Sequence, residues 1–118
     1  MRVTFVGVGE AFDEDLPNSS VLVESGPENE RTRLLLDCGF TAAHAYWRSS
    51  SSPLDLDAVY LTHFHGDHFF GLPALLLRFF EEGRTAPLSI FGGKGVEERT
   101  LAAMDLARPF RPLRCVSF

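Results

Sequence analysis

Three of the chain's four histidines fall within six residues, in the run Thr62-His63-Phe64-His65-Gly66-Asp67-His68. The preceding residues, Ala58-Val59-Tyr60-Leu61, have the β-branched and aromatic character of a strand. In an extended backbone, side chains two apart share a face, so His63 and His65 point the same way and can grip one ion. Gly66 lets the chain turn sharply, and Asp67 and His68 then aim at a neighbouring point. The pattern is not the helical H-E-x-x-H arrangement, whose histidines are four apart. Imidazole nitrogen and carboxylate oxygen suit zinc, and also iron or manganese. The spacing invites two ions about 3.5–4 Å apart, bridged by a water or hydroxide. A bound dication lowers the pKa of such a water to about 7, which makes a nucleophile available at neutral pH. The same ions polarise a phosphoryl or carbonyl oxygen. A histidine-rich turn without metal is the competing reading; it fits a lone imidazole better than three imidazoles and a carboxylate. His44, the fourth histidine, stands apart in a predicted helix and reads as an ordinary surface or packing residue.

These donors need a scaffold. Strands are predicted at 2–8, 19–24, 32–37, 57–62, 87–91 and 112–118, and helices at 41–48, 71–82 and 96–107. Leu72, Leu75, Leu76 and Phe79 form an apolar stripe at helical spacing, with Pro73 in the first turn, where a missing N–H does no harm. Leu34-Leu35-Leu36 is continuous enough to be buried on both faces. The serine run Ser49 to Ser52, with Pro53, reads as a linker too short to separate domains. The order β-β-β-α-β-α-β-α-β implies an α/β layer structure. Asp37 ends the third predicted strand. It could sit beneath the histidine turn and hold an imidazole N–H, fixing which nitrogen faces the metal; an ordinary turn aspartate is the alternative.

The 118 residues suffice for one small domain, and an apolar content of 45% argues against disorder. No apolar stretch reaches the ~18 residues of a membrane span. The N-terminus lacks the apolar core and cleavage site of a signal peptide, so a cytoplasmic location without a membrane partner is expected. Cys38 and Cys115 fit no close-spaced zinc pattern and read as buried thiols. The net charge of −5 is uneven: residues 1–82 hold 13 acidic and 5 basic side chains, residues 83–118 hold 3 and 6. The basic group (Arg84, Lys94, Arg99, Arg108, Arg111, Arg114) could meet phosphates or form a solvated face. Ile90-Phe91-Gly92-Gly93-Lys94-Gly95 superficially suggests a phosphate cradle. It lacks the spacing and Lys-Ser/Thr ending of a P-loop, and a tight turn is expected.

The run from His63 to His68 matches the H-x-H-x-D-H signature of the metallo-β-lactamase superfamily. Phe5-Val6-Gly7-Val8-Gly9, Pro17-Asn18-Ser19-Ser20, Leu36-Asp37-Cys38-Gly39, His68-Phe69-Phe70-Gly71-Leu72-Pro73 and Ile90 to Gly95 resemble its ribonuclease Z-like branch. The resemblance covers nearly the whole chain but only the first half of the family's domain. It implies an αββα sandwich, with residues 1–118 as one partial, truncated domain. It also implies two zinc ions in a complete site, His63 and His65 on the first and Asp67 with His68 on the second. Asp67 would in addition position the attacking hydroxide, and Asp37 matches the family's strand-end aspartate. The implied function is a metal-dependent phosphodiesterase of ribonuclease Z type, acting on RNA or another phosphodiester. The alternatives are a small-ester hydrolase (lactonase or sulfatase) and a non-catalytic metal-binding half-domain that dimerises. The family completes its site with two histidines and a bridging aspartate further along, whereas no histidine follows His68 here. A lone half-sandwich would also expose the inner face of its sheet. Either the missing half or a second copy of the chain, as a homodimer, is therefore expected to cover it.

Overall fold

Period-two patterning builds the sheet. In the computed structural model, which describes residues 1–107 and 115–118, six strands lie side by side in chain order: β1 (Arg2–Gly7), β2 (Ser20–Ser25), β3 (Thr32–Leu36), β4 (Ala58–Leu61), β5 (Leu88–Gly92) and β6 (Val116–Ser117). The β1–β2 and β2–β3 pairs are antiparallel, and the pairs from β3 to β6 are parallel. Parallel neighbours need crossovers. These are α1 (Ala42–Ser49) with a 3-10 turn at Pro53–Asp55, then α2 (Gly66–Phe69) with α3 (Leu72–Glu81), then α4 (Val96–Ala107). The sequence reading finds every strand and long helix to within a residue or two at most ends. It misses α2 and the 3-10 turn, because one turn of helix is too short for any periodic signal. The first part of the strand expected at 112–118 falls outside the described residues.

The register sorts side chains into two rows. Leu22, Leu35, Val59 and Ile90 are paired neighbours across β2 to β5, and all four are buried. They meet Ala42, Ala45 and Tyr46 of α1, Leu72, Leu75, Leu76 and Phe79 of α3, and Met104 of α4. Burying each of the valine, leucine, isoleucine, phenylalanine and methionine side chains contributes about 1.5–3 kcal/mol. Tyr46 is fully buried, and its hydroxyl donates to the Pro53 carbonyl at 2.6 Å, so the ring enters the core with its polar end satisfied.

The opposite row runs Phe5, Val21, Leu36, Tyr60, Phe91. This face is open: Phe5 is 70% exposed, Tyr60 43% and Phe91 50%. The expectation that Leu34-Leu35-Leu36 is buried on both faces is therefore corrected. Leu35 is fully buried, but Leu34 and Leu36 point to the open side and are only partly covered.

One ion-paired group sits on the helix side of the antiparallel end. Glu24 accepts from Arg2 at 2.8 and 2.9 Å and from Arg33 at 3.1 Å, its partners on the two flanking strands. Burial works to raise the Glu24 carboxyl pKa, but the two guanidiniums outweigh it and hold it below the ordinary 4.5. A carboxyl depressed in the folded state stabilises above its unfolded pKa, and that stability is lost as pH falls through the folded value. Stability to urea should therefore drop below about pH 4. Glu24→Gln should cost roughly 1–3 kcal/mol at pH 7 and flatten the acid limb. An unchanged acid limb in the variant would remove Glu24 as its source.

Candidate metal centre

The site assembles at the carboxyl ends of the neighbouring parallel strands β3 and β4, where ligands of open α/β sheets collect. β3 delivers Asp37. β4 delivers Thr62 and then the histidine turn, extended through His65 and helical from Gly66. The rings of His63 and His65 lie with centroids 4.6 Å apart, and those of His63 and His68 4.2 Å apart. Phe64, between the first two, turns inward to pack on the core, with the Arg99 guanidinium 4.6 Å above its ring. Asp67 Oδ2 lies 3.2 Å from His68 Nε2. Two donors at zinc-ligand distance from one tetrahedral ion are about 3.3 Å apart, so this pair fits a shared divalent ion. Among the described residues, no three His, Cys, Asp or Glu side chains yet encircle a single point. The donors are gathered on one turn without being closed into a cage.

Asp37 lies beneath this turn. Its Oδ2 meets His68 Nδ1 at 2.7 Å and accepts from the Thr62 hydroxyl at 2.7 Å, while its Oδ1 accepts from the Thr62 backbone N–H at 2.7 Å. Its backbone is left-handed, with φ 62°, a conformation that aspartate tolerates better than most residues. The surroundings enforce it: the Asp37 N–H donates to the Tyr60 carbonyl, and its carbonyl accepts from the Ser20 hydroxyl. Thr62 also places its hydroxyl 3.0 Å from His63 Nδ1. The sequence reading gives Thr62 no role, although its place between strand and first histidine is a usable signal.

Backbone bonds sew the turn down. Cys38 N–H donates to the His68 carbonyl, and Gly71 N–H donates to the Cys38 carbonyl, each at 2.9 Å. Asn18, almost fully buried, clamps the adjoining loops. Its amide nitrogen donates to the Glu10 and Ala11 carbonyls, and its amide oxygen accepts from Thr41 N–H. Gly66 does not supply the backbone freedom expected of it. Its φ lies outside the left-handed range, and what a methyl there would meet is the Phe40 ring, a half-exposed side chain that would have to swing aside.

Other sequence candidates fall away from the site. Cys38 is fully buried and its thiol is pushed up to about 12, by desolvation first and the Asp37 charge second, so it offers no thiolate. Cys115 is free and partly buried. His44 is exposed on α1. Arg84 leaves the basic group: its guanidinium donates to the carbonyls of Leu54, Leu56, Ala86 and Pro87 and is spent on fastening loops. Lys94 is exposed, whereas Arg108, Arg111 and Arg114 lie outside the described residues. The glycine-rich loop is a turn, with Gly95 at φ 90°. Glu97 and Glu98 occupy the first turn of α4, where an anion would otherwise be drawn.

Comparison with known proteins agrees with this architecture. A family model described as anti-Pycsar protein Apyc1 matches residues 1–99. The chain is 37% identical to a ribonuclease BN of Cronobacter sakazakii over 99 residues, 83% of this chain and 32% of the relative. It is 34% identical to a ribonuclease Z of Shouchella clausii over 108 residues, 92% of this chain and 35% of the relative. The crystal structure of the short form of human tRNase Z superposes with a TM-score of 0.75 at 30% identity, covering 92% of this chain and 40% of that one. A metallo-β-lactamase fold protein of Bacillus subtilis, YhfI, gives 0.63 at 27% identity over 82% of this chain and 39% of that one. The chain thus spans about a third of the length of these curated relatives. With its mixed six-stranded sheet and strand-end histidine turn, the chain belongs to the family of the anti-Pycsar protein Apyc1, in the ribonuclease Z-like branch of the metallo-β-lactamase superfamily.

Proposed function

We propose that this chain supplies the metal-binding part of a divalent-metal-dependent phosphodiesterase of ribonuclease Z type. In this reading His63, His65, Asp67 and His68 are the ligands, and Asp67 is also the catalytic carboxylate. Asp37 orients His68. The observation that carries it is the convergence of three imidazoles and Asp67 on one turn, backed by a carboxylate that holds His68 by Nδ1. The donor set suits zinc best, two ions in a complete site, with manganese or iron also accommodated. When bound, such an ion supplies Lewis acidity toward a phosphoryl oxygen and a water acidic enough to react at neutral pH. The protein's part is positioning. The 2.7 Å bond from His68 Nδ1 to Asp37 leaves Nε2 outward, and the backbone bonds from Cys38 N–H to His68 and from Gly71 N–H to Cys38 fix where the turn sits.

Residues 1–118 act, in this reading, as one partial sandwich domain whose open sheet face takes a second sheet. The substrate is a phosphodiester, RNA being the one suggested by relatives named as ribonucleases. No helix among the described residues is long and apolar enough to cross a membrane, which is compatible with the cytoplasm as the working compartment. The test is metal content. Chelator-stripped protein is offered zinc, manganese and iron in turn, desalted, and analysed for metal per chain. At least one equivalent retained is expected. No retention of any of the three would overturn the proposal.

A further inference from the structure

The protons around Asp37 have only one consistent arrangement. A carboxylate only accepts hydrogen bonds, so the 2.7 Å contact between Thr62 Oγ1 and Asp37 Oδ2 uses the hydroxyl's single proton. Thr62 Oγ1 is then left with lone pairs alone toward His63 Nδ1, 3.0 Å away. That contact is a hydrogen bond only if His63 carries its proton on Nδ1. The same carboxylate oxygen faces His68 Nδ1 at 2.7 Å, which must likewise be the protonated nitrogen. One line of bonds therefore runs from His63 through the Thr62 hydroxyl to Asp37 Oδ2, where it meets the bond from His68.

We propose that Thr62 is a positioning residue that sets the tautomer of His63 and couples it, through Asp37, to His68, so that both imidazoles present a bare Nε2 to the metal. Without the hydroxyl, Asp37 still orders His68, but His63 loses the acceptor that holds its proton on Nδ1. The Thr62 backbone N–H would still reach Asp37 Oδ1, and the side chain is solvent-exposed, so valine, of the same shape, fits without repacking.

The inference has two arms. Only the metal arm rests on the metal-binding reading, because the tautomer arm is measured without metal. In the stripped chain at pH 8, above the ordinary imidazole range, long-range proton–nitrogen NMR should show His63 and His68 protonated on Nδ1. Thr62→Val should shift His63 toward the Nε2-protonated form and leave His68 as it was. Zinc affinity should fall about 10-fold or more in Thr62→Val, the usual scale for an outer partner of a ligand. Thr62→Ser should restore both. A His63 tautomer indifferent to Thr62→Val would overturn the proposal, as would a serine variant behaving like valine. If no variant binds zinc, including the native chain, the metal reading fails while the tautomer result still decides the relay.

Discussion

In the proposed reading, Asp67→Ala is expected to reduce the metal held per chain and, wherever the completed site turns over a phosphodiester, to lower that turnover by roughly 10²–10⁴-fold. Two carboxylates stand beside the imidazoles, and their surroundings divide the labour. Asp37 is committed: three hydrogen bonds engage its two oxygens, and its side chain is only 9% exposed. Asp67 is 23% exposed, and its Oδ2 lies 3.2 Å from His68 Nε2, the ring nitrogen that Asp37 leaves free. Asp67 is thus the one of the pair able to turn toward an ion. Replacing it removes a negative donor but no structural bond of the turn, so folding should change little while metal binding weakens. Asp37→Ala should do the reverse. It strands Thr62 N–H and His68 Nδ1, places alanine in a left-handed conformation, and costs stability as well as metal affinity. The measurements are hydrolysis of a bis-aryl phosphodiester with saturating zinc or manganese, and elemental analysis of the same samples. Native turnover and native metal content in Asp67→Ala would remove that residue from the site.

Some of this could be read from the residues in order, and the reasons are local. His63 and His65 share a side because the chain stays extended through His65, and extension is what period two encodes. The α3 stripe is buried as its spacing predicts, because a 10-residue amphipathic helix has room for a full period. The Asp37–His68 contact joins residues 31 apart, so the sequence could suggest it only through where β3 and β4 end. Thr62 was harder still, since its role depends on which hydroxyl proton points where. Gly66 shows the opposite error. The sequence reading gives its glycine to backbone freedom, but its φ is one any residue adopts and its near neighbour is the Phe40 ring arriving from another loop, which no local pattern records. The coverage of Leu34 and Leu36 likewise depends on what lies across the sheet, not on the strand that carries them.

Gly39→Ala is expected to be the most damaging single methyl in the chain, costing roughly 3–5 kcal/mol. Gly39 follows Asp37 and Cys38 and passes directly under the histidine turn. A Cβ there would overlap the backbone carbonyl of Asp67 and crowd the Asn18 amide oxygen. Neither neighbour can easily yield. Asn18 is tied to Glu10, Ala11 and Thr41, and the turn is held by the bonds from Cys38 N–H to His68 and from Gly71 N–H to Cys38. Making room means breaking those bonds and lifting Asp67 and His68 away from Asp37, so metal affinity should fall together with stability. Gly93→Ala is the control, since an added methyl there meets nothing within 4 Å and its φ is outside the left-handed range. It should leave the urea midpoint within about 0.5 kcal/mol of native. If Gly39→Ala also stays within that margin, the turn does not rest on β3 as closely as described. The placement of Asp67 would then need another cause.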